Sequence, residues 1–131
     1  MIFFDSSFII GLIISSDNKH HKAVRIKEKL ASLGNERRVI NNIVLGETLN
    51  SFGKFSGKQT KEIFNMLHLM YDVVYLTSED YNKAIDIYLY YNGSINFHDC
   101  LILQTMEKMQ INKIVTFDND FRKVNGLKII N

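Results

Sequence analysis

The 131-residue chain contains no proline and a single cysteine, Cys100. Without proline, and without any glycine- or serine-rich stretch, repeat at solenoid spacing or low-complexity tract, nothing marks a linker or an array. One domain spanning 1–131 is therefore expected. A lone cysteine excludes an internal disulfide framework, which points to the cytoplasm. Long apolar runs are missing too. The opening stretch from Met1 to Ile14 is interrupted by Asp5 and falls short of the roughly 20 apolar residues of a membrane span. It also lacks a basic leader and a small-residue cleavage pattern, so neither a secretory signal nor a membrane anchor is expected.

What is present is a balanced, core-forming composition: 46% hydrophobic and 23% charged residues, with 16 basic and 14 acidic side chains and a net charge of +2. These values fit a single globular core. The distribution of charge says more than its sum. Setting aside Asp5, Glu47, Asp99, Asp118 and Asp120 leaves nine acids against 16 bases. A basic exterior around an acidic pocket suits a polyanionic partner.

Short apolar runs alternate with helical periodicities along the chain. Ile2–Phe4 reads as a strand, followed by the Asp5-Ser6-Ser7 break and an apolar helix from Phe8. Asp17 is the expected start of a second helix, in which Ala23, Ile26, Leu30 and Leu33 recur at helical spacing, with Gly34-Asn35 ending it. Arg38–Ile40 is the second strand, and Asn41 or Asn42 caps the helix that follows. A break bracketed by Gly53 and Gly57 precedes a helix marked by Ile63, Leu67 and Met70. Val73–Leu76 is the third strand, and Thr77-Ser78-Glu79-Asp80 opens the next helix. Asn96 begins the most strongly patterned helix, and Lys113–Phe117 and Leu127–Ile130 are the last strands. Apolar strands separated by helices predict an α/β fold with a parallel sheet covered on both faces. Ligands of such sheets bind beyond the carboxyl ends of the strands.

Asp5 and Asp118 fall at two of those ends. Asp5 is also placed to cap a helix, with Ser6 and Ser7 able to orient its carboxylate. Asp99 follows Asn96 at cap spacing, yet Asp99, Ile102, Leu103 and Met106 lie at i, i+3, i+4 and i+7, so the acid shares the apolar face. An inward carboxylate calls for a cation, because an unpaired buried charge is costly. Glu47 lies at the flank of its helix's apolar face beside Gly46. Asp118-Asn119-Asp120 puts one or two carboxylates after a strand, with Asp120 the secondary candidate. Oxygen donors without a His/Cys cluster favour Mg²⁺ or Mn²⁺ over zinc; the four histidines show no zinc-ligand spacing. His98 reads as a surface histidine able to flank a substrate.

The segments IFFDSSFII, Asp17-x-x-His20-x-x-Ala23, VLGETLN, FHDCLIL and VTFDNDF, in this order and spacing, resemble the PIN-domain ribonucleases, in particular the VapC-like toxins of toxin–antitoxin pairs. The resemblance runs over essentially the whole chain. It implies a PIN-like parallel sheet of four to five strands flanked by helices, one or two Mg²⁺ or Mn²⁺ ions, and metal-dependent endonucleolytic cleavage of RNA. Asp5, Glu47, Asp99 and Asp118 match the family's acids, Ser7 its small polar position and Thr116 its hydroxyl residue near the last acid. It further implies a homodimer and a cognate antitoxin that blocks the pocket, with the apolar helices around Ile63–Tyr71 and Tyr88–Tyr91 as possible surfaces. A dehalogenase-like phosphatase would need a second aspartate where Ser7 stands. A phosphoacceptor domain would need paired acids after the first strand. The remaining alternative is a non-catalytic PIN-like module that binds RNA or protein.

Overall fold

The computed structural model describes residues 1–53 and 56–131; Lys54 and Phe55, inside the break expected between Gly53 and Gly57, lie outside the described residues. Strand β1 (Ile2–Phe4) leads to α1 (Ser6–Ile13) and α2 (His20–Ser32). Then come β2 (Arg38–Asn41), α3 (Asn42–Asn50), α4 (Gly57–Met70), β3 (Asp72–Val74), α5 (Ser78–Tyr90) and α6 (Phe97–Lys108). Strand β4 (Lys113–Val115), a 3₁₀ turn at Asn119–Lys123 and β5 (Lys128–Ile130) complete the order.

All five strands pair in parallel, in the spatial order β3-β2-β1-β4-β5. The chain walks outward from β1 to β3 and then crosses to the other side of β1. With right-handed crossovers, that reversal puts the helices before β3 and those after it on opposite faces. It also opens a crevice at the carboxyl ends of β1 and β4, where the direction switches. The central strand is apolar throughout because both its faces are covered. Phe3 is fully buried, paired with Val39 on one side and Ile114 on the other.

Caps set most helix starts. Asn41 accepts the Val44 N–H at 3.0 Å, while Asn42 instead accepts the Leu76 N–H at 2.9 Å, tying α3 to the end of β3. The start expected at Asp17 is displaced. Asp17 accepts the Lys19 N–H at 2.9 Å within a turn, and His20 sets its Nδ1 2.9 Å from the Gly11 carbonyl. Helix α2 therefore begins at His20, docked on α1. Strand β3 stops at Val74 rather than Leu76 because the Leu76 N–H is taken by Asn42 rather than by a neighbouring strand.

Asp80 joins α5 to α6. It closes a capping box with Thr77 and meets Gln104 Nε2 at 3.4 Å and Lys108 Nζ at 3.2 Å. The Thr77 backbone N–H, and then Lys108 and Gln104, hold its pKa down at about 2 against the opposing effect of burial. A depressed folded-state pKa stabilises the fold above the unfolded value near 4 and loses that contribution as pH falls through about 2. Asp80→Ala is expected to cost about 2 kcal/mol at pH 7 and distinctly less at pH 3. Urea titrations at the two pH values check this; an equal loss at both would refute the ionic part of the account.

Candidate metal centre

The carboxyl ends of β1 and β4 are stitched together beyond their last paired residues. The Asp5 N–H donates to the Val115 carbonyl at 3.0 Å, so the β1–β4 ladder runs one step further and sets Asp5 beside Thr116. Thr116, fully buried, donates its hydroxyl to Asp5 Oδ2 at 2.7 Å and accepts the Asp118 N–H at 3.0 Å. Ser7 donates to the same Oδ2 at 2.8 Å and accepts the Phe117 N–H at 3.0 Å. Asp5 Oδ1 accepts the Ser6 N–H at 2.8 Å, which caps α1. The cap and the inward carboxylate are the same residue.

Asp99 arrives from the opposite wall. Asn96 caps α6 by accepting the Asp99 N–H at 2.9 Å. The side chain turns inward with the apolar stripe, and Asp99 is 7% exposed. Its neighbour Cys100 is a buried free thiol in the core. Oxygens of Asp99, Asp118 and Asp120 all lie within 4.8 Å of one another. Asp118 Oδ1 accepts the Asp120 N–H at 2.9 Å, and this tight turn swings Asp120 toward Asp99. Asp120 is thus a full member of the cluster, although Lys123 also reaches it at 3.0 Å.

Asp5, Glu47, Asp99 and Asp118 line one pocket of about 620 Å³. Glu47 sits apart from the tight triad with both oxygens engaged. Oε2 accepts Ser6 Oγ at 2.7 Å, and Oε1 lies 3.0 Å from His98 Nδ1. Neither the Ser6 contact nor the His98 contact has a sequence signal, since they join residues 41 and 51 positions apart. The basic segments Lys19–Lys29 and Arg37-Arg38 contribute no residue to this pocket wall, and His98 is its one basic side chain among the described residues.

The electrostatics are those of too many negative groups in too little water. Burial raises the pKa of Asp5 despite its hydrogen bonds from Thr116, Ser7 and Ser6. Asp99 is pushed to about 8, first by burial and then by the neighbouring charges of Asp118, Asp5 and Glu47. Asp99 Oδ2 is buried and has no donor among the described residues. A buried acceptor left without a partner is costly, and only a proton or a cation can relieve a cluster of acceptors. The donor set, all carboxylate oxygen, fits a hard divalent ion such as Mg²⁺ or Mn²⁺.

A family model described as PIN domain matches residues 2–127. Ribonuclease VapC6 of Methanocaldococcus jannaschii is 31% identical over 153 aligned positions, covering 98% of this chain and 95% of that protein. Among solved structures, Mycobacterium tuberculosis VapC20, described as a sarcin-ricin loop cleaving toxin, superposes with a TM-score of 0.77 at 23% identity, covering 95% of each chain. VapBC-1 of nontypeable Haemophilus influenzae gives 0.75 at 20% identity, covering 100% of this chain and 98% of that one. A toxin–antitoxin complex from Klebsiella pneumoniae gives 0.73 at 15%, covering 100% and 97%. At these identities the structural likenesses speak for the fold.

Proposed function

The chain belongs to the PIN-domain family, and from that premise we propose that it is an endoribonuclease, the toxin of a toxin–antitoxin pair, dependent on Mg²⁺ or Mn²⁺. The observation that carries the metal reading is the unpartnered, buried Oδ2 of Asp99 within 4.8 Å reach of Asp118 and Asp120. Asp99, Asp118 and Asp120 would hold the ion. A divalent cation supplies there a water of lowered pKa for in-line attack on a phosphodiester and neutralises charge on the phosphate and the departing oxygen.

The remaining residues prepare the pocket. Ser7 and Thr116 fix the Asp5 carboxylate by two hydroxyl donors on one oxygen, leaving its other oxygen turned toward Ser6. Thr116 couples that carboxylate to the backbone of Asp118, so the acids of β1 and β4 move together. Glu47, held by Ser6 and His98, adds negative charge and positions its partners rather than offering a free oxygen.

The fold is proposed as a single domain, working in the cytoplasm, as a homodimer and with a protein antitoxin. No helix among the described residues is long and apolar enough to cross a membrane. Leu69, Leu89 and Tyr90 are the most exposed large apolar side chains near the two helical segments suggested as partner surfaces, at 88%, 67% and 81%.

Titration calorimetry with Mn²⁺, paired with cleavage of a single-stranded RNA, tests the reading. Saturable binding is expected, together with cleavage that falls by about 10³-fold or more on chelation and returns on adding Mn²⁺. Binding without cleavage would favour the non-catalytic RNA- or protein-binding module. Absence of binding would overturn the metal site.

A further inference from the structure

We infer that His98 recognises the ribose 2′-hydroxyl of the nucleotide seated at the acid pocket, accepting its hydrogen at Nε2. The inference takes the identity of the substrate from the endoribonuclease reading; the geometry of His98 is independent of it. His98 lines the same pocket as Asp5, Glu47 and Asp99, and its side chain is 61% exposed. Nδ1 lies 3.0 Å from Glu47 Oε1, and Ser6 holds the other oxygen of that carboxylate at 2.7 Å. A carboxylate only accepts, so the hydrogen of the neutral ring is on Nδ1 and the lone pair is on Nε2. Among the described residues Nε2 has no partner, in contrast to His68, whose two nitrogens contact the Phe64 carbonyl and the Tyr75 hydroxyl.

The chemistry of the substrate then selects the contact. Phosphate oxygens at neutral pH and above only accept hydrogen bonds. Along a ribonucleotide backbone the hydrogen donor is the 2′-hydroxyl, and DNA lacks it. A fixed acceptor nitrogen at the pocket wall therefore matches RNA and nothing on the DNA backbone. The preference rests on a residue next to Asp99, so the sugar is read beside the reacting phosphate.

The test compares a single-stranded RNA with its 2′-fluoro counterpart, which keeps the ribose-like sugar pucker but has no hydroxyl hydrogen. Affinity is measured by fluorescence anisotropy at pH 8 in Ca²⁺, and single-turnover cleavage in Mn²⁺. Wild type is expected to bind the RNA about fivefold more tightly, the worth of one hydrogen bond. In His98→Ala and in His98→Phe, which keeps the ring's bulk, the ratio is expected to fall to about one. A wild type that shows no preference, or variants that weaken both oligonucleotides equally, would overturn the inference. Loss of cleavage with the binding ratio intact would sink the nuclease reading alone. Cleavage with the preference retained in both variants would sink the ribose contact alone.

Discussion

Asp99→Asn is expected to lose RNA cleavage by about 10³-fold or more while making the cation-free protein more stable. The two effects have one cause. Asp99 is 7% exposed, faces Asp118, Asp5 and Glu47, and has an oxygen with no donor. Asparagine places an amide N–H2 where the aspartate must otherwise keep a proton, so the apo fold loses a repulsion and the cation loses a ligand. The pH dependence follows from the raised pKa. Between about 4 and about 8 the folded protein holds a proton on Asp99 that the unfolded chain has released, so wild-type stability falls as pH rises across that window and levels off above it. Asp99 and Asp118 share that proton and the pocket is open to water, so the expected advantage of the variant is about 2 kcal/mol at pH 8 and little at pH 4. Added Mn²⁺ should reverse the order, because it stabilises the wild type by mass action. Urea midpoints at both pH values, with and without Mn²⁺, and cleavage rates at pH 8 read all of this. A variant that cleaves within tenfold of wild type would remove Asp99 from the site.

Asp5→Ala is expected to fail in both respects. Its carboxylate caps α1 through the Ser6 N–H and receives the hydroxyls of Ser7 and Thr116. Truncation leaves the cap donor and two buried or half-buried hydroxyls to find other partners. Against this stands relief of a buried charge, which the raised pKa of Asp5 records. The balance expected is a loss of about 1–3 kcal/mol, with cleavage reduced by about 10²-fold or more. Asp5→Asn keeps an acceptor for the cap and should recover most of the stability but not the cleavage. The opposite stability signs of Asp99→Asn and Asp5→Ala are the sharpest check on the site as described. An unchanged urea midpoint in Asp5→Ala would mean that its hydrogen bonds contribute nothing net.

The alternation of apolar runs with helical spacing was enough to read five strands and their helices in order, because each strand is short and covered on both faces. Asp99's inward direction was also legible, since i, i+3, i+4 and i+7 spacing fixes a helix face whatever it packs against. The parallel pairing was foreseeable, whereas the spatial order β3-β2-β1-β4-β5 depends on which strands meet, and periodicity within one segment carries no such information. Asp17 misled for a local reason: a cap residue and an Asx turn look alike until it is known whether the next residues are free to coil, and here His20 is anchored to Gly11. Asp120 was undervalued because its approach to Asp99 comes from a backbone turn closed by Asp118. The Ser6, Glu47 and His98 chain was out of reach, being contact made wholly by tertiary assembly.

The hydrogen bond from Thr116 to Asp5 spans 111 residues, and this separation has a consequence in time. Loops of that length close late relative to local helices. The pocket cannot exist until β4 has docked on β1, so a refolding chain should regain its helical signal before it regains cation affinity. The same delay separates synthesis from harm: a nuclease assembled this way stays inert through most of its folding and becomes dangerous only when its last long-range strand pair locks.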